Sequence, residues 1–154
     1  VGWISGAFLM AKKDAINKAG MLDTSFFLYG EEVEWCYRLG KIGTLELYGN
    51  LGVVHLEGVN ISNASGSAVN DYNYLYDKKG LQLMVSNHLL VRKVFGIHWC
   101  LFHYFNYMWG ALTCLIANPM NQKKNAVRFM GNCLRLTTWM PAILFNVKKL
   151  YKVL

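Results

Sequence analysis

Residues Val94 to Ala117 form a run of 24 residues without a formal charge, and it restricts the architecture more than any other stretch. It is long enough to span a bilayer core, and if it does not, something else must cover it. His98, His103 and Asn106 interrupt it. At helical spacing His103, Asn106, Gly110, Thr113 and Ala117 fall on one side, and Leu101, Phe105, Met108, Leu112 and Leu115 on another. That division predicts a two-sided helix lying in an interface or against protein, not one crossing lipid alone. Asn118-Pro119 ends it.

Charge is segregated about this run. Residues 1–79 hold 7 Lys/Arg and all 9 Asp/Glu, whereas residues 80–154 hold 9 Lys/Arg and no acid, so the formal +7 comes from the second half. A basic half of this kind faces an anionic surface, and its long apolar runs favour an anionic membrane leaflet over nucleic acid. Residues Lys123 to Met140 place Lys124, Arg128 and Arg135 along one stripe beside Val127, Met130 and Leu134. Pro141 is expected to start a final helix with Ile143, Val147, Leu150 and Leu154 on one face beside Lys148, Lys149 and Lys152. Basic and apolar faces on successive helices predict a peripheral anchor on the cytoplasmic face of the cell membrane. The alternative is docking on protein, including a second copy in a homo-oligomer, which would leave the chain in the cytoplasm. Cys36, Cys100, Cys114 and Cys133 are widely spaced and read as buried thiols of a reducing compartment. Asn60-Ile61-Ser62 and Asn63-Ala64-Ser65 read as chance matches to the glycosylation pattern in a polar loop.

The first half reads as mixed α/β. Trp3 to Ala11 is a continuous apolar run with small residues inside it, expected to be a buried strand. Lys12 to Ala19 predicts a two-turn helix with Gly20 as a left-handed cap. Gly43 to Tyr48 alternates like a half-exposed strand, and Leu51 to His55 reads as a second short strand. Asn60 to Asn70 lacks periodicity and reads as a connector, with a lid as the alternative. Val69 to Lys79 and Leu81 to Lys93 predict helices broken at Gly80; the first carries Tyr72, Tyr74 and Tyr76, whose spacing of two spreads them around a helix.

Between these elements lies the chain's densest acidic stretch, Phe26-Phe27-Leu28-Tyr29-Gly30-Glu31-Glu32-Val33-Glu34-Trp35-Cys36-Tyr37-Arg38. Three carboxylates in four residues open a short helix, at the end of the helix dipole that favours negative charge. Glu34 and Arg38, four apart, can pair along one face, while the adjacent Glu31 and Glu32 point in different directions and cannot share a task. The stretch reads either as a solvated helix start or as the floor of a cleft carrying a general base. Periodicity leaves both open.

Four pieces in register, Ser5-Gly6-Ala7-Phe8-Leu9-Met10, Ala19-Gly20-Met21-Leu22-Asp23, the acidic stretch, and His55-Leu56-Glu57-Gly58, resemble the C-terminal half of a family 2 glycosyltransferase catalytic domain. Their order is similar to the rhamnosyl- and galactofuranosyltransferase-like branch. The resemblance implies half of a GT-A fold over residues 1–68, connecting helices over 69–93, and a helical, membrane-associating region over 94–154. It implies inverting transfer of a sugar from a nucleotide-diphosphate donor to a saccharide or lipid-linked acceptor hydroxyl, in cell-surface polysaccharide synthesis. Glu32 falls where the family has its general base, and Glu31 where an acid orients the acceptor. The family reads Glu-Asp there, so Glu32 is one methylene longer. Trp3, Asp23 and Tyr29 become acceptor-side candidates. His55 becomes a ligand to a divalent cation, Mn or Mg, whose Asp-x-Asp partners are expected before residue 1 together with the nucleotide-binding half. Residues 1–154 alone are therefore expected to be inactive. The resemblance assigns nothing to His88, His98 or His103. The alternatives are a non-catalytic remnant serving as a membrane-bound binding or scaffolding module, and a basic membrane-interaction protein whose acidic helix is only structural.

Overall fold

The structure, a computed structural model, describes residues 1–54, 75–117 and 123–153. Its elements are α1 (Lys13–Ala19), α2 (Glu31–Gly40), α3 (Lys78–Val94), α4 (Ile97–Ala117) and α5 (Lys123–Leu144). Helices α3, α4 and α5 pack on one another as a three-helix bundle, α2 leans on α3, and α1 on α2.

The bundle contains the core. Met84, Val85 and Leu89 of α3, Cys100 and Ala111 of α4, and Cys133, Leu136 and Ile143 of α5 are fully buried. Helix α3 starts where Asp77 caps it: the Asp77 carboxylate accepts from the Gly80 N–H at 2.8 Å. Asn132 of α5 donates to the carbonyls of Leu75 and Asp77, both at 2.9 Å, and ties that start to the bundle. Gly80, expected to break two helices, is instead the capped third residue of one. The corner between α3 and α4 turns on Gly96, whose φ of +93° suits a residue without a side chain.

The final helix expected after Pro141 does not form. Helix α5 runs through Pro141 and ends at Leu144, and residues 145–153 leave it as an irregular tail. Asn146 sits at φ +51°, outside the helical region, and the Tyr151 hydroxyl donates to the Ala142 and Val147 carbonyls. Leu150 and Val147 are consequently exposed, while Ile143 alone of the expected face is core; Leu154 lies outside the described residues. Fully buried Tyr151 and Gln82 then fasten the tail across the bundle. The Gln82 amide donates to Tyr151 O at 2.9 Å and accepts from Val153 N–H at 2.8 Å, and Tyr151 N–H donates to Ser25 O at 2.9 Å.

The α/β expectation for the first half, and with it the GT-A half-domain, is overturned. Among the described residues there is no strand or sheet, only an isolated parallel bridge between Phe26 and Tyr151. Residues 1–12 are irregular, with Trp3, Phe8 and Met10 exposed, and residues 44–54 are irregular and mostly exposed. A strand persists only as part of a hydrogen-bonded ladder, and among the described residues the two runs meet through the bond from the Val1 ammonium to Leu45 O at 3.0 Å without forming one. Alternation and apolarity are necessary for a strand but do not supply its neighbour. His55, Asn60 to Asn70, Tyr72, Tyr74 and Asn118-Pro119 fall outside the described residues.

Helix α4 is two-sided, but not along the expected line. His103 turns inward with Cys100, Tyr104, Tyr107 and Ala111, while Phe105, Trp109, Leu112 and Ile116 face outward with Asn106 and Thr113. Its outer face is therefore an aromatic and aliphatic stripe, with Phe105 64%, Trp109 68% and Ile116 76% exposed. No helix among the described residues is long and apolar enough to cross a membrane.

Candidate functional site

The acidic helix forms where the sequence places it, and its start is set by two residues in positive φ. Tyr29 (φ +70°) and Gly30 (φ +87°) turn the chain sharply into α2, with Gly30 as N-cap. A tyrosine at positive φ is uncommon and strained, so neighbouring packing must hold this turn. Gly30 sits against the Phe26 ring and Leu90 of α3.

The three carboxylates have different surroundings. Glu34, 6% exposed, is held by Arg38 through Nε–H bonds at 2.8 and 3.0 Å and an Nη2–H bond at 2.8 Å. The same guanidinium donates to Ala19 O and to Met21 O, and Trp35 Nε1–H donates to Gly20 O at 2.8 Å. Glu34, Trp35 and Arg38 thus fix the loop after α1, a structural task. Gly20 has the expected positive φ, but its ψ of 173° is extended, not left-handed helical. Glu32 is half-buried against the N-terminal segment: a Cβ placed on Gly6 would stand 3.5 Å from Glu32 Cβ. Glu31 keeps one carboxylate oxygen, Oε2, buried and without a hydrogen-bond partner. A buried acceptor left unpaired costs on the order of 1–3 kcal/mol.

The remaining candidates are dispersed. Tyr29 adjoins the acid pair, and Trp3 stands 54% exposed on the N-terminal segment. Asp23 turns to α3, where its carboxylate meets Lys93 Nζ at 2.8 Å and accepts from Ser25 N–H at 2.8 Å. Burial pushes the Asp23 carboxyl up, but hydrogen bonds from Lys93 and Ser25 outweigh it and hold the group below its ordinary value. Among the described residues no group of three or more His, Cys, Asp or Glu could hold a metal ion. Neither Glu31 nor Glu32 lines any of four hollows of about 450–740 Å³ on the described surface.

Two features escaped the sequence reading. The first is a buried histidine pair. His88 is fully buried, its ring 4.5 Å from that of His103, and both pack edge-on or tilted against Tyr107. His88 Nδ1 lies 2.7 Å from Met84 O, so its proton sits on that nitrogen and Nε2 is a bare acceptor. Burial lowers the His88 pKa to about 4 against a smaller raising effect of the Met84 bond, with His103 adding to the lowering. Burial lowers His103 as well, so both rings are neutral at pH 7. The second is a hollow of about 740 Å³ where Asp23, Lys93, Lys148 and Lys149 meet from three distant parts of the chain.

The chain shares a segment with a known sugar transferase. It is 42% identical over 48 residues to N-acetylglucosaminyl-diphospho-decaprenol L-rhamnosyltransferase of Mycobacterium tuberculosis, in both strain CDC 1551 / Oshkosh and strain ATCC 25618 / H37Rv. The match takes in 31% of this chain and 16% of the relative's length. No protein-family model and no solved structure matches. At this coarse level the likeness supports a glycosyltransferase.

Proposed function

We propose that the protein is an inverting glycosyltransferase of cell-surface polysaccharide synthesis, moving a sugar from a nucleotide-diphosphate donor to the hydroxyl of a diphosphate-linked lipid acceptor. The observation that carries this reading is the 42% identity with a rhamnosyltransferase whose name specifies a diphospho-decaprenol acceptor. Glu32 takes the acceptor proton as the hydroxyl attacks. It stands in the first turn of α2, half-buried against the segment that carries Gly6. Glu31, beside it in the same turn, orients the acceptor. Trp3, Asp23 and Tyr29 remain proposals for acceptor contacts; Asp23, committed to Lys93, would act by positioning the loop. A divalent cation, Mn or Mg, held partly by His55, is proposed from the resemblance alone. The described residues gather no ligand set for it.

The protein would work against the leaflet that carries its acceptor. The exposed stripe of Phe105, Trp109 and Ile116 on α4 and the exposed Lys123, Lys124 and Arg128 on α5 combine apolar and cationic surface, as interfacial attachment requires. Because α5 supplies much of the core, truncating it would unfold the bundle, and Phe105→Ser/Trp109→Ser is the cleaner variant. It is expected to shift protein from anionic vesicles to the supernatant; unchanged co-sedimentation would contradict the attachment.

A second reading is favoured by the absence of Glu31 and Glu32 from the described hollows: a non-catalytic module that binds or scaffolds at the membrane. Turnover assays of the full-length protein with UDP-, GDP- and dTDP-sugars and a prenyl-diphosphate-linked acceptor separate the two. Transfer from one donor supports the enzyme; none from any donor, with the acceptor still bound, supports the module.

A further inference from the structure

We propose that the hollow between residues 22–25, the C-terminal end of α3 and the tail at 146–150 binds a diphosphate group, with Lys148 and Lys149 as its principal contacts. This deepens the reading above, in which donor and acceptor both carry that group. The hollow holds about 740 Å³, within the size range of ligand pockets, and three lysines and one carboxylate line it.

That carboxylate is already neutralised. Asp23 is locked to Lys93 at 2.8 Å, so the pair forms a fixed wall and leaves Lys148 and Lys149 as the uncompensated charges. Neither is joined to a carboxylate among the described residues. The Lys149 ammonium stands 4.8 Å from the Trp139 ring centre and 5.3 Å from that of Tyr151, which holds it in place without neutralising it. The segment carrying both lysines is anchored on each side. Asn146 N–H donates to Ile143 O and Val147 N–H to Ala142 O on one side, and Tyr151 N–H donates to Ser25 O on the other. Lysines on an anchored backbone lose less freedom on binding than lysines on a loose tail. Lys148 and Lys149, adjoining in the chain and both lining the hollow, supply one point charge with several donors for each anionic centre of a diphosphate. The hollow is open enough for the rest of the ligand, whether nucleoside or prenyl chain, to extend from it.

The test is calorimetric titration of the intact protein with two soluble probes, UDP and farnesyl diphosphate, at fixed ionic strength. Lys148→Gln/Lys149→Gln should weaken at least one probe by about tenfold or more, as the loss of two charge-assisted contacts implies. The control Lys78→Gln/Lys79→Gln, which removes the same charge from the exposed start of α3, should change affinity less than twofold. Loss confined to UDP assigns the hollow to the donor, loss confined to farnesyl diphosphate to the acceptor, and loss of both to any diphosphate; each supports the site. Both altered pairs are exposed, so the variants should melt with the parent; Lys148→Glu alone serves as a second variant. No binding of either probe by the parent, a loss below twofold, or an equal loss in the control would overturn the proposal. Transfer activity with unchanged probe binding in the variant would sink the hollow and leave the enzyme reading standing. Lysine-dependent binding without turnover would do the reverse.

Discussion

The helical bundle and the acidic segment before it use apolar residues in opposite ways. In α3–α5, Met84, Leu89, Leu136 and Ile143 interlock with no exposure, and polar Gln82, Ser86 and Asn132 are buried with their hydrogen bonds made. In residues 1–54, Trp3, Phe8, Met10, Leu47 and Val54 are at least half exposed, and order comes from a few polar clasps around α2. Apolar content therefore says little about stability by itself. What stabilises is a partner surface that removes those atoms from water.

The largest effect expected from this contrast is in the bundle. Leu89→Ala should lower unfolding free energy by about 3–4 kcal/mol in denaturant melts, through lost burial and the cavity left behind; a cost below 1 kcal/mol would mean the bundle is loosely packed.

Acid should loosen the same region. Because the His88 pKa falls from 6.5 in the unfolded chain to about 4 in the fold, the unfolded state binds more protons between those values. Its contribution is complete above pH 6.5 and is lost as pH drops toward 4, by up to about 3 kcal/mol. Asp23 carries a dependence of the same sign, but its carboxyl is held below its ordinary 3.8 in the fold, so its loss comes at lower pH and leaves this window to histidine. His88→Leu should flatten the slope between pH 6.5 and 4.5; an unchanged slope would remove His88 as its source.

A smaller loss is expected at the polar clasp. Arg38→Ala strips Glu34 of its partner and frees the Ala19 and Met21 carbonyls, which should cost about 2 kcal/mol. Proteolysis between residues 19 and 25 should quicken in that variant, and an unaltered cleavage rate would show that the loop is fixed by something else. Smallest of all, Met10→Ser should change stability by less than about 0.5 kcal/mol, because the side chain is already in water.

Local signals in the sequence were reliable and distant ones were not. Helix α2, its acidic start and the Glu34–Arg38 pair follow from neighbours within one turn, as do α1 and the turn at Gly20. Asp77 before Gly80 carried the capping signal that the glycine obscured. The expected strands failed because pairing is a property of two segments, and the final helix failed because Tyr151 claims carbonyls nine and four residues behind it. Burial sides on α4 depend on what α3 and α5 present: His103 is polar in sequence, but it faces inward because His88 stands opposite. For the site, the sequence named Glu31, Glu32 and Asp23. It could not bring Lys93 to Asp23 or Lys148 and Lys149 to their shared hollow, since no local pattern links residues so far apart.

The half-buried glutamate beside Gly6 is the centre of the functional account. Its most direct test is the rate of sugar transfer by the full-length protein and its Glu32→Gln variant, with donor affinity measured in parallel. Loss of the base should slow transfer by about 10²–10⁴-fold while leaving the donor dissociation constant within about twofold, and Glu32→Asp should recover part of the rate. Equal rates in the parent and Glu32→Gln would contradict the account.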